Sequence, residues 1–201
     1  MRIIAGKYKG THLYPPAGLE TRPTADRVRQ TLFDMLIHAE WGGQYFLQDS
    51  LVLDAFAGTG ALGIEALSRG ARKGFFCEKN KSTRQVLEKN LTRCHCHLNS
   101  VIYSDYQALP ITEHPCNLVF LDPPYRKNLI PYTLQTLENK NWLSTRSIII
   151  TEIAQDENLM LNDNYHMLAE RNFKNTCLKF WVKKTKGIFQ FYNPIKINKP
   201  L

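Results

Sequence analysis

Five short apolar segments alternate with helical patterns from residue 51 onward, and this alternation limits the fold more than any other feature of the chain. The apolar segments lie near residues 51–55, 73–77, 99–103, 117–121 and 147–153, and the helical patterns near 60–69, 80–93 and 128–140. Parallel strands need crossover connections, for which a helix is the usual solution. The pattern therefore predicts an α/β fold with a largely parallel sheet and helices on both faces.

The two ends of the chain depart from this alternation. Residues 2–14 predict a β-hairpin that turns through residues 6–10 and stops at two prolines. In the segment RPTADRVRQTLFDMLIHAE, Thr24 is placed to cap a helix with an apolar stripe along it. Near the other end, YHMLAERNFKNTCLKFWVKK predicts a hairpin that closes the sheet.

We expect three parts from this organisation. Residues 1–40 form an N-terminal hairpin and helix, residues 41–185 form the sheet domain, and residues 186–201 form a basic tail.

The net charge of +8 is concentrated at the two ends of the chain. Residues 1–30 carry six basic and two acidic residues, and residues 171–201 carry eight basic residues and no acidic one. This distribution is typical of a protein that binds a polyanion such as nucleic acid. A basic surface that serves only solubility gives the same pattern, so charge alone does not distinguish nucleic-acid binding from solubility.

The sequence predicts a monomeric cytoplasmic protein. Its start, MRIIAGKYKG, lacks the apolar stretch of a signal peptide, and no run approaches the ~20 apolar residues that span a bilayer. Five cysteines are an odd number with no disulfide-framework density, which favours reduced thiols.

A glycine-rich turn follows the first predicted strand, in LVLDAFAGTGALGIEAL. Gly58, Thr59 and Gly60 come between a buried strand and a helix, where a ligand can approach the backbone and the helix N-terminus closely. With Gly63 the turn also fits the G-x-G-x-x-G dinucleotide pattern, and Glu78 follows Gly58 by 20 residues. An enzyme that binds a dinucleotide cofactor is therefore an alternative interpretation.

The placement of acidic residues separates these alternatives. Asp54, Glu78 and Asp105 come at the ends of three successive strands, so they are expected to converge at the ligand crevice of the sheet. Asp54 is poorly placed beside a pyrophosphate but well placed beside a cation, and S-adenosylmethionine carries an ammonium beside a sulfonium. Glu78 can accept hydrogen bonds from ribose hydroxyls, and Asp105 can meet an adenine amine.

The run FLDPPY ends the fourth predicted strand at the same edge. Two prolines cannot donate to a sheet ladder and stiffen the loop that follows. Asp122 and the carbonyl of Pro123 can accept hydrogen bonds from an amine and stabilise the positive charge that develops when it attacks a methyl group. Tyr125 offers a face for a base, worth about 1–3 kcal/mol in comparable stacks.

Four blocks of this sequence together resemble the bacterial 16S ribosomal RNA guanine-N2 methyltransferase family. They are RIIAGKYKG, RPTADRVRQTLFDML, LDAFAGTGALGIEALSRGA and FLDPPY, and the resemblance runs from residue 2 to about residue 153. The motif [DN]-P-P-[FYW] alone is shared with adenine-N6, cytosine-N4 and glutamine-N5 enzymes. It is therefore the combination and order of the blocks that indicate the family.

The resemblance implies a class I methyltransferase sheet of seven strands with a closing antiparallel hairpin, and S-adenosylmethionine as cofactor. It implies that Arg22 and Thr24 lie beside that cofactor, and that Asp122, Pro123 and Tyr125 hold a guanine of the small ribosomal subunit. The cations expected to contact RNA are Arg2, Lys7, Lys9 and Arg29. One departure is clear, because the family's closing hairpin usually turns through tyrosine-glycine, where this chain has RNFKNTCL.

Several alternatives remain at this stage. Adenine-N6 or another nucleic-acid amino group is the nearest competing acceptor; an NAD-dependent oxidoreductase and a non-catalytic RNA-binding protein are further alternatives from other functional classes. The run Cys94-His95-Cys96-His97 holds four metal-ligating residue types, but alternate residues point apart and no second ligand pair follows, so no metal site is predicted.

Overall fold

The computed structural model describes residues 1–15, 23–43 and 45–184, without the side chains of residues 23–25. The helices are α1 (Pro23–His38), α2 (Ala61–Ser68), α3 (Lys81–Arg93) and α4 (Leu129–Asn139). The strands are β1 (Leu51–Asp54), β2 (Lys73–Cys77), β3 (Ser100–Tyr103), β4 (Cys116–Leu121), β5 (Leu143–Ala154), β6 (Tyr165–Asn172) and β7 (Thr176–Lys183).

One seven-stranded sheet organises the described part of the chain, in the order β3-β2-β1-β4-β5-β7-β6. Strands β1 to β5 pair in parallel, and β7 pairs antiparallel with both β5 and β6. The predicted α/β class, the seven strands and the antiparallel closing hairpin are therefore confirmed. The sheet reverses its winding between β1 and β4, which is where open α/β sheets bind ligands.

Two hydrophobic clusters cover the two faces of the sheet. Along β4, Leu118 and Phe120 join one cluster, while Val119 and Leu121 join the other, as the two-residue repeat of a strand requires. The first cluster contains Leu32 and Leu36 of α1, and the second contains Leu134 and Leu137 of α4. The N-terminal extension predicted for residues 1–40 thus shares its core with the sheet.

Two predicted elements differ from the structure in extent. β5 begins at Leu143 rather than near residue 147, because the polar Ser144, Thr145 and Arg146 interrupt the apolar run without stopping the strand. The N-terminal hairpin reduces to one isolated bridge between Arg2 and His12. A few backbone bonds still join its two arms, such as the Ile3 amide to the Thr11 carbonyl at 2.9 Å, while the amides of residues 4, 5, 7 and 8 bind Glu65 and Ser68 of α2. Residues 185–201, which hold the predicted basic tail, lie outside the described residues.

All five cysteines are free and buried. Burial raises the pKa of Cys94 to about 11 and the pKa of Cys96 to about 12. His95 and His97 between and after them are exposed, so the run alternates between core and surface. Within the described ranges, no three His, Cys, Asp or Glu side chains cluster closely enough to hold a metal, and no helix is long and apolar enough to cross a membrane.

A fully buried carboxylate, Glu65 of α2, joins the N-terminal residues to the sheet domain. Its Oε2 accepts the amide of Ile4 at 2.8 Å, and its Oε1 accepts the amide of Ala5 at 3.0 Å. Arg69 donates to Oε1 at 2.8 Å, and the guanidinium of Arg29 lies 3.8 Å from Oε2. The first residues, α1 and α2 therefore meet at one side chain.

We expect Glu65→Gln to destabilise the fold by about 3 kcal/mol, because the buried Arg69 loses its counter-charge and Arg29 keeps only Asp26. Urea unfolding of the variant should show a lower midpoint at an unchanged slope. Glu88→Gln, an exposed change on α3, is the matched control and should stay within about 0.5 kcal/mol of the wild type. Equal midpoints for both variants would contradict the role given to Glu65.

Candidate active site

Five acidic side chains follow the carboxyl edge of the parallel strands in the order of the sheet. Across that edge they are Asp105 after β3, Glu78 after β2, Asp54 at the end of β1, Asp122 after β4, and Glu152 near the end of β5. They influence one another, since Glu78 helps to raise the pKa of Asp54, and Asp54 and Glu152 both help to raise the pKa of Asp122. The edge is therefore a rim of interacting acidic groups.

Asp54 lies at the centre of this rim and is 1% exposed. Its Oδ2 accepts the amide of Gly63 in the first turn of α2 at 3.1 Å, whereas its Oδ1 has no hydrogen-bond partner among the described residues. Burial raises the pKa of Asp54 to about 7, and Glu78 raises it further, whereas the amides of Gly63 and Phe56 oppose the shift. A buried carboxylate oxygen without a hydrogen-bond partner is energetically unfavourable, and a bound cation would supply the missing interaction.

The glycine turn lies directly above Asp54. Gly58 has φ +54° and its missing Cβ would point into open space, while Gly60 has φ +86° and a Cβ there would lie 2.4 Å from Leu87. The turn thus needs glycine at both positions for its backbone, and at Gly58 it leaves room for a ligand to approach. Between them, Thr59 is buried.

Glu78 and Asp105 each bind a neighbouring backbone amide. Glu78 accepts the amide of Gly58 at 2.9 Å through Oε2 and that of Asn80 at 2.7 Å through Oε1. Asp105 accepts the amide of Gln107 at 3.1 Å. Both side chains are only partly buried, and a carboxylate offers about four acceptor positions, so both retain capacity for a ligand.

Asn90 of α3, which the sequence analysis does not identify, ties the N-terminal strand to the glycine turn. Its buried side chain accepts the amide of Tyr14 at 2.7 Å and donates to the carbonyls of Tyr14 at 3.1 Å and Thr59 at 3.0 Å. A polar residue on the buried face of a helix is the only signal of it in the sequence.

The loop after β4 places Asp122 and Tyr125 on the rim. Asp122 is partly buried, and no hydrogen bond to its carboxyl occurs in the described part of the chain. Burial raises its pKa well above the usual range, with Glu152 and then Asp54 adding to the effect. Pro123 is buried, and Tyr125 leaves 39% of its surface exposed, so one face of the loop is accessible.

Glu152 is the second residue that the sequence analysis misses. The Tyr125 hydroxyl donates to Glu152 Oε1 at 2.9 Å, and the Thr176 hydroxyl lies 3.1 Å from the same oxygen. Burial raises the pKa of Glu152, while the bonds from Tyr125 and Thr176 oppose the shift. The available signal was an acid in the otherwise apolar strand IIITEIA, beside the strand that carries Asp122.

The cations predicted to contact RNA fall into two groups. Arg2, Lys7 and Lys9 are exposed, and the Lys7 amide binds the carbonyl of Ser68, at the end of α2 remote from the glycine turn. The prediction for Arg29 is wrong. Its side chain is 3% exposed and donates to the carbonyl of Arg2 at 2.6 Å and to Asp26 at 3.0 Å, so it cannot reach a phosphate.

Two further predicted residues lie where the structure describes no side chain. Arg22 is outside the described residues, and so is the side chain of Thr24, whose backbone belongs to α1. Their predicted position beside a cofactor stays a prediction.

The chain is similar to a family and to individual proteins over most of its length. The family described as Conserved hypothetical protein 95 matches residues 1–182. A protein of Escherichia coli strain K12 named ribosomal RNA small subunit methyltransferase D is 38% identical over 189 residues, covering 93% of this chain and 92% of that protein. Its namesake from Haemophilus influenzae is 36% identical over 176 residues, covering 85% and 88%.

A solved structure has the same fold. It is that of yhhF from Escherichia coli, a proposed methyltransferase, which superposes with a TM-score of 0.78 at 33% identity. The match covers 92% of this chain and 98% of that one.

We expect the stability of the protein relative to Asp54→Asn to fall as pH rises. In the unfolded chain the carboxyl loses its proton near pH 4, whereas burial holds the pKa of Asp54 at about 7 in the fold. The wild type is therefore stabilised below pH 4 and loses that advantage up to pH 7, by about 4 kcal/mol in total. Urea unfolding of both proteins between pH 4.5 and 8 measures the difference.

Asp163→Asn, at an exposed position, serves as the control for this experiment and should show no such trend. A stability difference between wild type and Asp54→Asn that stays constant with pH would show that Asp54 titrates normally.

Proposed function

Because this chain belongs to the family described as Conserved hypothetical protein 95, we propose that it transfers a methyl group from S-adenosylmethionine to the N2 amine of a guanine in 16S ribosomal RNA. The family membership predicted from four sequence blocks is confirmed, and the chain is a ribosomal RNA methyltransferase of the class I α/β fold. The observation that carries the finer proposal is the pair of unpaired acceptors, Asp54 Oδ1 and the Asp122 carboxyl, on adjacent strands.

The residues of the rim fit the proposed cofactor. The buried Oδ1 of Asp54 lacks a partner among the described residues, which suits an ammonium group. Gly58 leaves open space above the turn, and Glu78 beside it suits a ribose. Asp105, one strand further along, is placed for the adenine amine. When bound, S-adenosylmethionine supplies an electrophilic methyl carbon on a sulfonium.

Asp122 and Pro123 prepare the amine for attack. The guanine N2 lone pair is delocalised into the ring, so the nitrogen must rehybridise before it can bond to carbon. The Asp122 carboxylate and the Pro123 carbonyl accept its two N–H groups and stabilise the charge that develops on nitrogen. As the nitrogen–carbon bond forms, the carbon–sulfur bond breaks and its electron pair stays on sulfur.

Asp122 also accepts the proton that the amine releases. After transfer, the nitrogen is cationic and must lose one proton to give N2-methylguanine. A carboxylate whose pKa is raised by burial and by neighbouring acids is a stronger base than an exposed one. Asp122 takes this proton in our proposal and passes it to solvent, while Tyr125 stacks on the base with its exposed face.

The charge of the chain supports RNA as the partner. Arg2, Lys7 and Lys9 expose three cations on the N-terminal segment, within the division proposed for residues 1–40 as an RNA-facing extension. We place phosphates of the small ribosomal subunit there, and we place the enzyme in the cytoplasm as a monomer. If neutralising Lys7 and Lys9 leaves the salt dependence of the RNA affinity unchanged, these two lysines do not lie in the RNA interface.

A methyl-transfer assay tests the proposal directly. Small ribosomal subunits from a strain without its own enzyme would receive a labelled methyl group from S-adenosylmethionine, and digestion would identify the nucleoside. We expect N2-methylguanosine. N6-methyladenosine would keep the amine chemistry of the DPPY loop but replace the acceptor, and an unlabelled RNA would refute the proposed substrate.

In the same assay, Asp122→Ala should lower kcat by about 100-fold or more, because a preorganised acceptor for the transition state is lost. Its affinity for S-adenosylmethionine, measured by calorimetry, should stay within a few-fold of the wild type. Asp163→Ala, at an exposed position outside the loop after β4, is the control and should keep full turnover. Parallel losses of affinity and turnover in Asp122→Ala would contradict its catalytic role.

A further inference from the structure

The DPPY motif does not distinguish guanine from the other amine substrates, so some other group must select the base. Glu152 is in position to do so. β5 is the neighbour of β4, with Leu121 paired to Thr151, so Asp122 and Glu152 follow at the same level on adjacent strands. Parallel neighbours are about 4.8 Å apart and present paired side chains on the same face of the sheet. Two carboxyls thus stand side by side at the rim.

The two oxygens of Glu152 are not equivalent. Oε1 accepts the Tyr125 hydroxyl at 2.9 Å and has the Thr176 hydroxyl at 3.1 Å. In the part of the chain that the structure describes, no group donates to Oε2. Because Tyr125 and Thr176 hold the side chain in place, the free oxygen has a defined position beside Asp122.

The edge of guanine carries two adjacent donors, the N1–H and the N2 amine. Adenine and cytosine instead place a ring nitrogen acceptor next to their exocyclic amine. When both groups are ionised, a pair of carboxylate acceptors complements guanine alone, and it sets an acceptor against an acceptor for the other two bases. A pair that shared a proton would also offer a donor and would lose this selectivity. Such an unpaired contact inside a closed site excludes a competing substrate strongly.

We propose that Glu152 is the specificity-determining residue, accepting the N1–H of the target guanine through Oε2 while Asp122 accepts from the N2 amine. This inference rests on the proposed function and names the residue that selects its base. Tyr125 then has two tasks, since it stacks on the base and its hydroxyl orients the selecting carboxylate.

The test compares guanine with 2-aminopurine, which keeps the N2 amine but has an unprotonated acceptor at N1. The guanine that the wild type methylates would first be located by mass spectrometry of RNA fragments, and small subunits would then be assembled with 16S RNA that carries either base at that position. The wild type should prefer guanine by about 100-fold or more in kcat/KM. Equal rates of the wild type on both bases would overturn the proposal without need of any variant.

Glu152→Gln supplies the reciprocal measurement. The Tyr125 hydroxyl favours the amide oxygen at the place of Oε1, which turns the amide NH2 toward N1. We expect the rate on guanine to fall by about 100-fold and the preference for guanine to shrink to about tenfold or less. Glu113→Gln, at an exposed position, should retain the wild-type preference.

Equal losses on both bases in Glu152→Gln would mean that Glu152 only supports the loop, and the proposal would fail. This outcome differs from a failure of the proposed function, in which the wild type forms no N2-methylguanosine. Thermal melting of Glu152→Gln checks that the variant folds, and the wild-type comparison of the two bases decides the matter if it does not.

Discussion

The arrangement of the N-terminal half depends on one buried negative charge. Glu65 is fully buried and accepts the amides of Ile4 and Ala5 while it faces the guanidinium groups of Arg69 and Arg29. A buried carboxylate is stable only when such partners surround it. The same helix begins at the glycine turn, so the residue that anchors the N-terminal segment lies on the helix whose Gly63 amide binds Asp54. The position of the N-terminal segment and the shape of the site are therefore set together.

The rim has the opposite character, because no cation forms an ion pair with its acids among the residues that the structure describes. Burial raises the pKa of Asp54, Asp122 and Glu152 above their usual ranges, so the protein alone does not stabilise their charges. A basic chain that keeps an acidic row at its ligand edge is suited to a cationic ligand there and to an anionic polymer elsewhere. The cationic ligand and the anionic polymer therefore have separate binding surfaces of opposite charge.

The sequence predicts most of the fold because its apolar runs and helical patterns alternate without ambiguity. Five strands occur within four residues of their expected bounds, and the other two form the expected hairpin. It also predicts four acids of the rim, since each lies at the end of a strand or within two residues after it. Arg29 is misjudged because a helix pattern does not show that its guanidinium turns inward to Asp26 and Glu65. Glu152 and Asn90 are missed because each lies inside an element, and only the packing of β5 on β4, or of α3 on the glycine turn, gives them a role.

The burial of all five thiols has a consequence for how this protein can be studied. A thiol with a pKa of about 11 or 12, as for Cys94 and Cys96, forms almost no thiolate near neutral pH, and it is covered by the core as well. The folded chain is therefore inert to alkylating reagents, whereas an opened chain exposes ordinary thiols. Alkylation of each cysteine therefore reports local opening of the structure around it. Cys94 and Cys96 report on the end of α3. Cys116 reports on the centre of the sheet, and Cys177 reports on its closing hairpin.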